Sequence, residues 1–353
     1  MPKIKVICRD KNNYEKINKS DIEKVFRNSN SNLHPHIKAR EYVRALNSAK
    51  MEKIFAKPFL FALDNHTDGV KCMAKNYKQL SEIVSGSYDA QIILWDIMNK
   101  QPIFNINSKH EFVKGLCFSN TGSEFISVGD DKKINIWSKN HLYEQQLISE
   151  KSKVINNNND KFMINQTSNL IDYIPYNTYL SSGSLESVDH NYLSRQFCTA
   201  GEVVSIWDYN SNKPITTFKN SYDGFLKAKY NFVEENIILA SGMDRSISIY
   251  DARIKTPTHN VVLNNKSAAL CWNPQEPFTF TLGNEDSNCY TFDMRKLQQV
   301  KMIHKDHILA VLDLDYSPTG KEFVTGSFDK TVRIFDVNQG RSREVYFNRR
   351  MQK

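Results

Sequence analysis

No stretch of the 353-residue chain approaches the roughly 18 consecutive apolar residues that a membrane-spanning helix needs, and the opening MPKIKVICRD has no apolar core of a secretion signal. A soluble, intracellular protein is the expectation. The chain also lacks any Cys-x-x-Cys pair: Cys8, Cys72, Cys117, Cys198, Cys271 and Cys289 are dispersed, several of them in strand-like apolar segments, and read as reduced core residues. There is no Gly-x-x-x-x-Gly-Lys-Ser/Thr phosphate loop, no Gly-x-Ser-x-Gly elbow and no His-Glu-x-x-His zinc helix, so catalysis is not expected and no cofactor is implied. The pairs His34/His36 and His304/His307 offer two histidines each without a third ligand, which argues against a metal. An RNA-recognition aromatic motif is missing as well, so direct reading of bases is not expected.

What the chain does contain is a repeat. IVSGSYDAQIILWD (83 to 96) recurs as FISVGDDKKINIWS, FCTAGEVVSIWD, ILASGMDRSISIYD, FTLGNEDSNCYTFD and FVTGSFDKTVRIFD. The closing aromatics Trp95, Trp137, Trp207, Tyr250, Phe292 and Phe335 are 42, 70, 43, 42 and 43 residues apart. Between them lie short alternating strands and polar turns. Four strands in about 40 to 45 residues is what one propeller blade requires, and a blade cannot bury both faces alone, so consecutive blades stack. The 70-residue interval holds an insertion of about 28 residues within 139–180, rich in Asn, Ser and Lys and expected to be a surface loop.

The formal charge of +8 is unevenly placed. Residues 1–58 hold 14 Lys and Arg against 6 Asp and Glu, residues 341–353 hold 5 against 1, and the repeat region between them is left with 28 against 32. Basic ends on a mildly acidic body suit a polyanion, although a solvated tail would read the same way. From about 36 to 55 the sequence has strong helix formers without internal Gly or Pro. Ala39, Val43, Leu46 and Ile54 can form an apolar stripe on that helix, with Arg40, Arg44, Lys50, Lys53 and Lys57 offering cations.

The repeat resembles the WD-repeat family, whose blades carry a hydrogen-bonded tetrad of His, Ser or Thr, Asp and Trp. Residues matching all four are His66, Ser85, Asp89 and Trp95, then His110, Ser127, Asp131 and Trp137. The last repeat keeps His307, Thr325 and Asp329 but closes on Phe335. The repeats ending in Tyr250 and Phe292 keep Asp244 and Asp286 without an obvious His, and the one ending in Trp207 lacks the Asp. Those three blades are expected to rely on packing.

LHPHIKAREYVRALNSAKMEKIFAKPF, CWNPQEPFTFTLGNEDSNCYTFDMR and GRSREVYFNRRMQ together resemble the SOF-domain WD-repeat proteins of the small-subunit processome, over nearly the whole chain outside the insertion. The resemblance implies an all-β propeller, with six visible repeats where the family has seven blades, and a basic N-terminal helix. It places an N-terminal extension at 1–58, the propeller at 59–340 with FLFAL (59 to 63) as a sealing outer strand, and a basic end at 341–353. Family members continue past RRMQ through a seventh blade into a basic tail. The implied role is a nucleolar, non-catalytic scaffold in pre-rRNA processing. Its partners would be processome proteins, pre-rRNA and box C/D small nucleolar ribonucleoprotein. Phosphates would be met by Arg40, Arg44, Lys50, Lys53, Lys57, Arg341, Arg343, Arg349 and Arg350, with salt-dependent affinity.

A second role is also implied, that of substrate receptor for a cullin-RING ubiquitin ligase. Such receptors use Trp-Asp, one residue, then Arg. ISIYDAR and CYTFDMR supply Arg253 and Arg295, but behind Tyr250 and Phe292. A salt bridge at the blade edge would account for either Arg without a partner.

Overall fold

The computed structural model describes residues 59–157, 173–219, 223–254 and 256–347, with His36, Ala39, Tyr42, Val43, Leu46, Asn47 and Lys50. Met1–Ala62 and Leu63–Lys353 are separate compact units. In the first, the described residues from Ala39 to Lys50 are helical, within the span expected to be a helix. Val43 is 52% exposed and Tyr42 66%.

The second unit is a six-bladed β-propeller. Blade 1 consists of β1 (Val70–Lys75), β2 (Glu82–Ser87), β3 (Gln91–Asp96) and β4 (Gln101–Asn107), hydrogen-bonded in sequence order and antiparallel throughout. Five further four-stranded sheets follow at 113–180, 185–218, 225–262, 267–305 and 311–347, each built from four consecutive strands. Among the described residues no strand is exchanged between the first and last blades. FLFAL, expected as a sealing strand, forms none, and Phe59 and Leu60 are each 76% exposed. The outer place of the last blade, which a sealing strand would fill, is already taken. SREVYF is instead the outer strand of blade 6.

The insertion also departs from expectation. It does not begin as a loop: Lys139–Asn157 is a helix, and 177–180 is the outer strand of blade 2. Leu142 and Tyr173 enter the core beside Phe104 of blade 1, and Lys139 pairs with Glu82. The insertion therefore ties blade 2 to blade 1, a role that its Asn-rich stretch concealed.

Five hydrophobic clusters hold the ring, one at each junction between consecutive blades. Val84, Ile92 and Leu94 meet Val113, Leu116 and Phe118 at the first junction. At the last, Ala269 and Cys289 meet Val311, Tyr316 and Phe323. Among the described residues no sixth cluster joins blade 6 to blade 1. The residue five before the turn Asp is fully buried in blades 1, 2, 4 and 5 as Val84, Ile126, Leu239 and Thr281, whereas its counterpart Val324 is 40% exposed.

The turn aspartates have a purpose that needs no histidine. Each carboxylate accepts the N–H two residues on, as from Gln91 (3.1 Å), Lys133 (3.3 Å), Ser246 (3.0 Å), Asn288 (3.0 Å) and Thr331 (2.9 Å). The residue between is left-handed in all five: Ala90, Lys132, Arg245, Ser287 and Lys330. This Asx turn explains why Asp244 and Asp286 are present in blades without the tetrad. Blade 3, which has no turn Asp, has no left-handed residue there.

Candidate interaction surfaces

The predicted tetrads are of three kinds. In blade 2 all four members connect. His110 Nδ1 lies 2.7 Å from Asp131, its Nε2 2.9 Å from Ser127 Oγ, and Trp137 Nε1 donates to the same oxygen at 3.0 Å. Burial pushes the His110 pKa down against the pull of Asp131, so the ring is neutral. Nδ1–H then donates to the carboxylate and Nε2 accepts from the serine. In blade 6 His307 joins Asp329 (2.9 Å) and Thr325 (2.7 Å), and Phe335 adds no donor, as expected. Blade 1 departs from its sequence match. His66 and Trp95 both reach Ser85 Oγ, at 2.6 and 2.7 Å, but Asp89 takes its hydroxyl from Thr67 (2.5 Å), and His66 Nδ1 has no partner.

Blade 5 contains a network that the repeat pattern did not reveal. Thr281 Oγ1 is 2.5 Å from Tyr316 and 2.8 Å from Thr291, Thr291 is 3.0 Å from His304 Nε2, and His304 Nδ1 donates to the Gln339 carbonyl at 2.7 Å. The expectation that this blade rests on packing is corrected. His304 comes from the outer strand, outside the usual His position, and HKDH was the only sign of it. Blade 3 retains a bond from Trp207 Nε1 to Thr199 (2.9 Å), and blade 4 does rest on rings, with Tyr250 against Phe218 at 4.6 Å. His304 and His307 thus serve separate blades.

The axis is occupied by opposed charges. Lys114 meets Asp130 (2.6 Å) and Glu186 (2.5 Å), and Lys227 meets Asp313 (2.6 Å). Lys75 meets Asp315 (2.5 Å), and Lys229 meets Asp189 (3.3 Å). Burial alone would lower the Lys229 pKa, but Asp189 and its neighbours hold the ammonium charged. At one mouth Tyr77, Tyr192 and Phe232 pack together, with centroids 5.3, 4.4 and 6.3 Å apart. Cations neutralised in pairs do not make an anion channel. The thiols are not activated either: burial pushes Cys72, Cys271 and Cys289 up to about 12.

The remaining predicted positions lie at the surface. Arg253 grips Asp251 through Nε (3.0 Å) and Nη2 (2.8 Å), and Arg295 grips Asp293 at the same distances while its guanidinium lies 4.5 Å from the Phe278 ring centre. Each Arg holds its carboxylate below the usual range. Both forks sit in turns between third and fourth strands of adjacent blades, and their side chains are 71% and 62% exposed. Lys50 is exposed, Arg341 is exposed, and Arg343 pairs with Glu322 (2.5 Å). Arg40, Arg44, Lys53, Lys57, Arg349 and Arg350 lie outside the described residues.

The WD domain, G-beta repeat model matches residues 57–96, 100–138 and 298–336. These are the three repeats in which a His from the segment before the blade reaches a Ser or Thr of the second strand, as His66, His110 and His307 do. Over 350 residues the chain is 41% identical to DDB1- and CUL4-associated factor 13 of Xenopus tropicalis, covering 99% of this chain and 73% of that protein. It is 35% identical over 362 residues to Protein SOF1 of Saccharomyces cerevisiae, with 99% and 71% covered. The chain belongs to this family of WD-repeat proteins. With the human DDB1- and CUL4-associated factor 13 it shares 39% identity over 353 residues, 73% of that protein. The family match extends well beyond the repeats with full tetrads, so membership does not depend on the tetrad alone. No helix among the described residues is long and apolar enough to cross a membrane.

Proposed function

We propose that the protein is a non-catalytic scaffold of ribosome biogenesis, acting in the nucleolus on pre-rRNA destined for the small subunit. The observation that carries this reading is the relationship to Protein SOF1 across 99% of the chain. The fold supports it, because charges paired along the axis leave the ends and rim of the propeller as its working surfaces. In this reading processome proteins dock on the blades and on the N-terminal helix, whose Val43 and Tyr42 are exposed. Pre-rRNA and box C/D small nucleolar ribonucleoprotein meet the cations of the two basic ends, Arg40, Arg44, Lys50, Lys53 and Lys57 together with Arg341, Arg343, Arg349 and Arg350.

The test is depletion of the protein in its own cell, followed by measurement of rRNA precursors and purification of the tagged chain. Accumulating precursors of the small-subunit rRNA, with small nucleolar RNA in the purified fraction, support the reading. Unchanged precursors with no RNA recovered would remove it.

A second reading, substrate receptor of a cullin-RING ligase, is favoured by one observation: the exposed guanidinium forks of Arg253 and Arg295 on neighbouring blades. It predicts that Arg253→Ala and Arg295→Ala abolish recovery of a ligase adaptor while rRNA processing continues. Recovery unaffected by both substitutions counts against it.

A further inference from the structure

Because strands alternate in direction within every blade, the turns between second and third strands share one end of the propeller with the segments joining consecutive blades. This end carries the turn aspartates. The residue just before the turn Asp is Tyr88 in blade 1, Asp130 in blade 2, Met243 in blade 4, Glu285 in blade 5 and Phe328 in blade 6, while blade 3 has Glu202 at its turn. Aromatics thus mark the two blades beside the uncovered junction, and acids occupy blades 2, 3 and 5.

The aromatics are exposed yet fixed. Tyr88 packs edge-on against Phe112 at 5.9 Å, with 39% and 44% of each residue in solvent. Phe328 is 47% exposed beside Leu309 at 50% and Ile308 at 78%. Their backbones are pinned: Tyr88 N–H donates to Gly69 O (3.1 Å), Phe328 N–H to Ala310 O (3.1 Å) and Ile308 N–H to Asp329 (3.2 Å). Apolar side chains held in water on ordered turns are already arranged for docking, so little ordering cost remains.

Charge determines the kind of partner. At this end the carboxylates of Asp68, Glu111, Glu202, Asp223, Glu285 and Asp306, with those of the turns, outnumber the cations of Lys109, Lys132, Lys133, Lys219, Arg245, Lys266, Lys305 and Lys330. A polyanion is disfavoured there, whereas a cationic chain with apolar anchors satisfies both features. We infer that the turn-aspartate end of the propeller docks a basic peptide segment of a protein partner, seating its apolar side chains on Tyr88/Phe112 and Ile308/Leu309/Phe328. This assignment is independent of the ribosome-biogenesis reading and puts RNA contacts elsewhere on the molecule.

The experiment is selection of a display library of random peptides of about 12 residues on the full chain, repeated on a Tyr88→Ala/Phe328→Ala variant. Both side chains are exposed, and a thermal melt checks that the variant stays folded. Enrichment of net-positive peptides rich in Leu, Phe or Met is the expected result. Binding of a selected peptide should fall about tenfold or more in the variant, and again with Glu285→Lys. Enrichment of acidic peptides, enrichment indifferent to the substitutions, or no enrichment would overturn the inference. So would a polyuridylate affinity that drops in the Tyr88→Ala/Phe328→Ala variant, because RNA would then be the occupant.

Discussion

Gly86 of VSGS and Gly326 of VTGS occupy the same place, three residues before the turn Asp, and their surroundings are opposite. A methyl group on Gly86 would lie 2.6 Å from Val113 Cγ1 and 2.9 Å from a Leu116 methyl; on Gly283, the equivalent in blade 5, it would lie 2.7 Å from Val311 Cγ1. On Gly326 it would meet no described atom within 4 Å. In these two closed junctions the inner strand of the next blade opens on a valine, Val113 or Val311, and the missing side chain of glycine is what admits it. Blade 6 has the glycine and no valine opposite. Identical local sequence therefore reports how a blade expects to be covered, while only the neighbour decides whether it is.

The largest effect should come from filling the two kinds of site. Gly283→Val forces three carbons into a packed junction and should cost about 3 kcal/mol. Gly326→Val adds a β-branched residue to a strand facing open space and should change stability by less than about 0.5 kcal/mol. Urea unfolding of both variants checks the contrast. A Gly326→Val loss as large as that of Gly283→Val would mean that the face is covered in solution, which would revise the comparison at its root.

How much of this was legible in the sequence follows from which signals are local. The period of the closing aromatics, the turn aspartates and the strand alternation are set within single blades, so the fold and the second and sixth polar chains could be read directly. His304 could not, because it enters blade 5 from the outer strand, where no repeat pattern places a ring. Thr67 displaced His66 as the partner of Asp89 for the same kind of reason, a hydroxyl one residue beyond the matched position. The helix Lys139–Asn157 was hidden by a composition suited to solvent. The exposed pairs Tyr88/Phe112 and Leu309/Phe328 also escaped notice, because single apolar residues in turns have no period and gain meaning only when blades bring them to one end.

Next in size is a pH effect centred on blade 5, an enclosed network set against the open face of blade 6. Burial pushes the His304 pKa down to about 4, with only partial return from the Gln339 carbonyl. An unfolded histidine titrates near 6.5, so below that pH the unfolded chain takes up a proton that the folded blade refuses. The contribution is complete above about pH 6.5, falls as pH drops, and levels off below about 4, a change on the order of 3 kcal/mol. His110 and His307 are shifted in the same direction. Unfolding free energies at pH 7 and 4.5 for the native chain and His304→Gln measure it. The variant should lose less on acidification, and equal losses would assign the effect to other groups.

Thr281→Val removes the hydroxyl between Tyr316 and Thr291 while keeping the volume. Thr281 is fully buried, so the orphaned partners should cost about 1–3 kcal/mol. Thr325→Val in blade 6 also breaks a buried bond, to His307 Nε2. A similar cost in both would show that the polar chains work independently of whether the blade's outer face is covered. A much smaller cost in blade 6 would show that its interior loosens with the open face, and hydrogen exchange of 322–336 would locate that loosening.

The smallest effect is expected where the uncovered junction is bridged. Lys75 of blade 1 and Asp315 of blade 6 approach to 2.5 Å, but their side chains are 43% and 57% exposed. Solvent screens such a pair, which limits it to about 0–1 kcal/mol, and salt weakens it further. The hydrophobic clusters at the five closed junctions carry no such salt dependence, so the bridge cannot substitute for the packing that is absent. Lys75→Ala and Asp315→Ala should each shift the melting temperature by no more than a few degrees, and the double variant should add nothing once salt is raised. If either single substitution instead unfolded the chain, the pair would be the clasp of the ring, and the junction between blades 6 and 1 would be closed by charge.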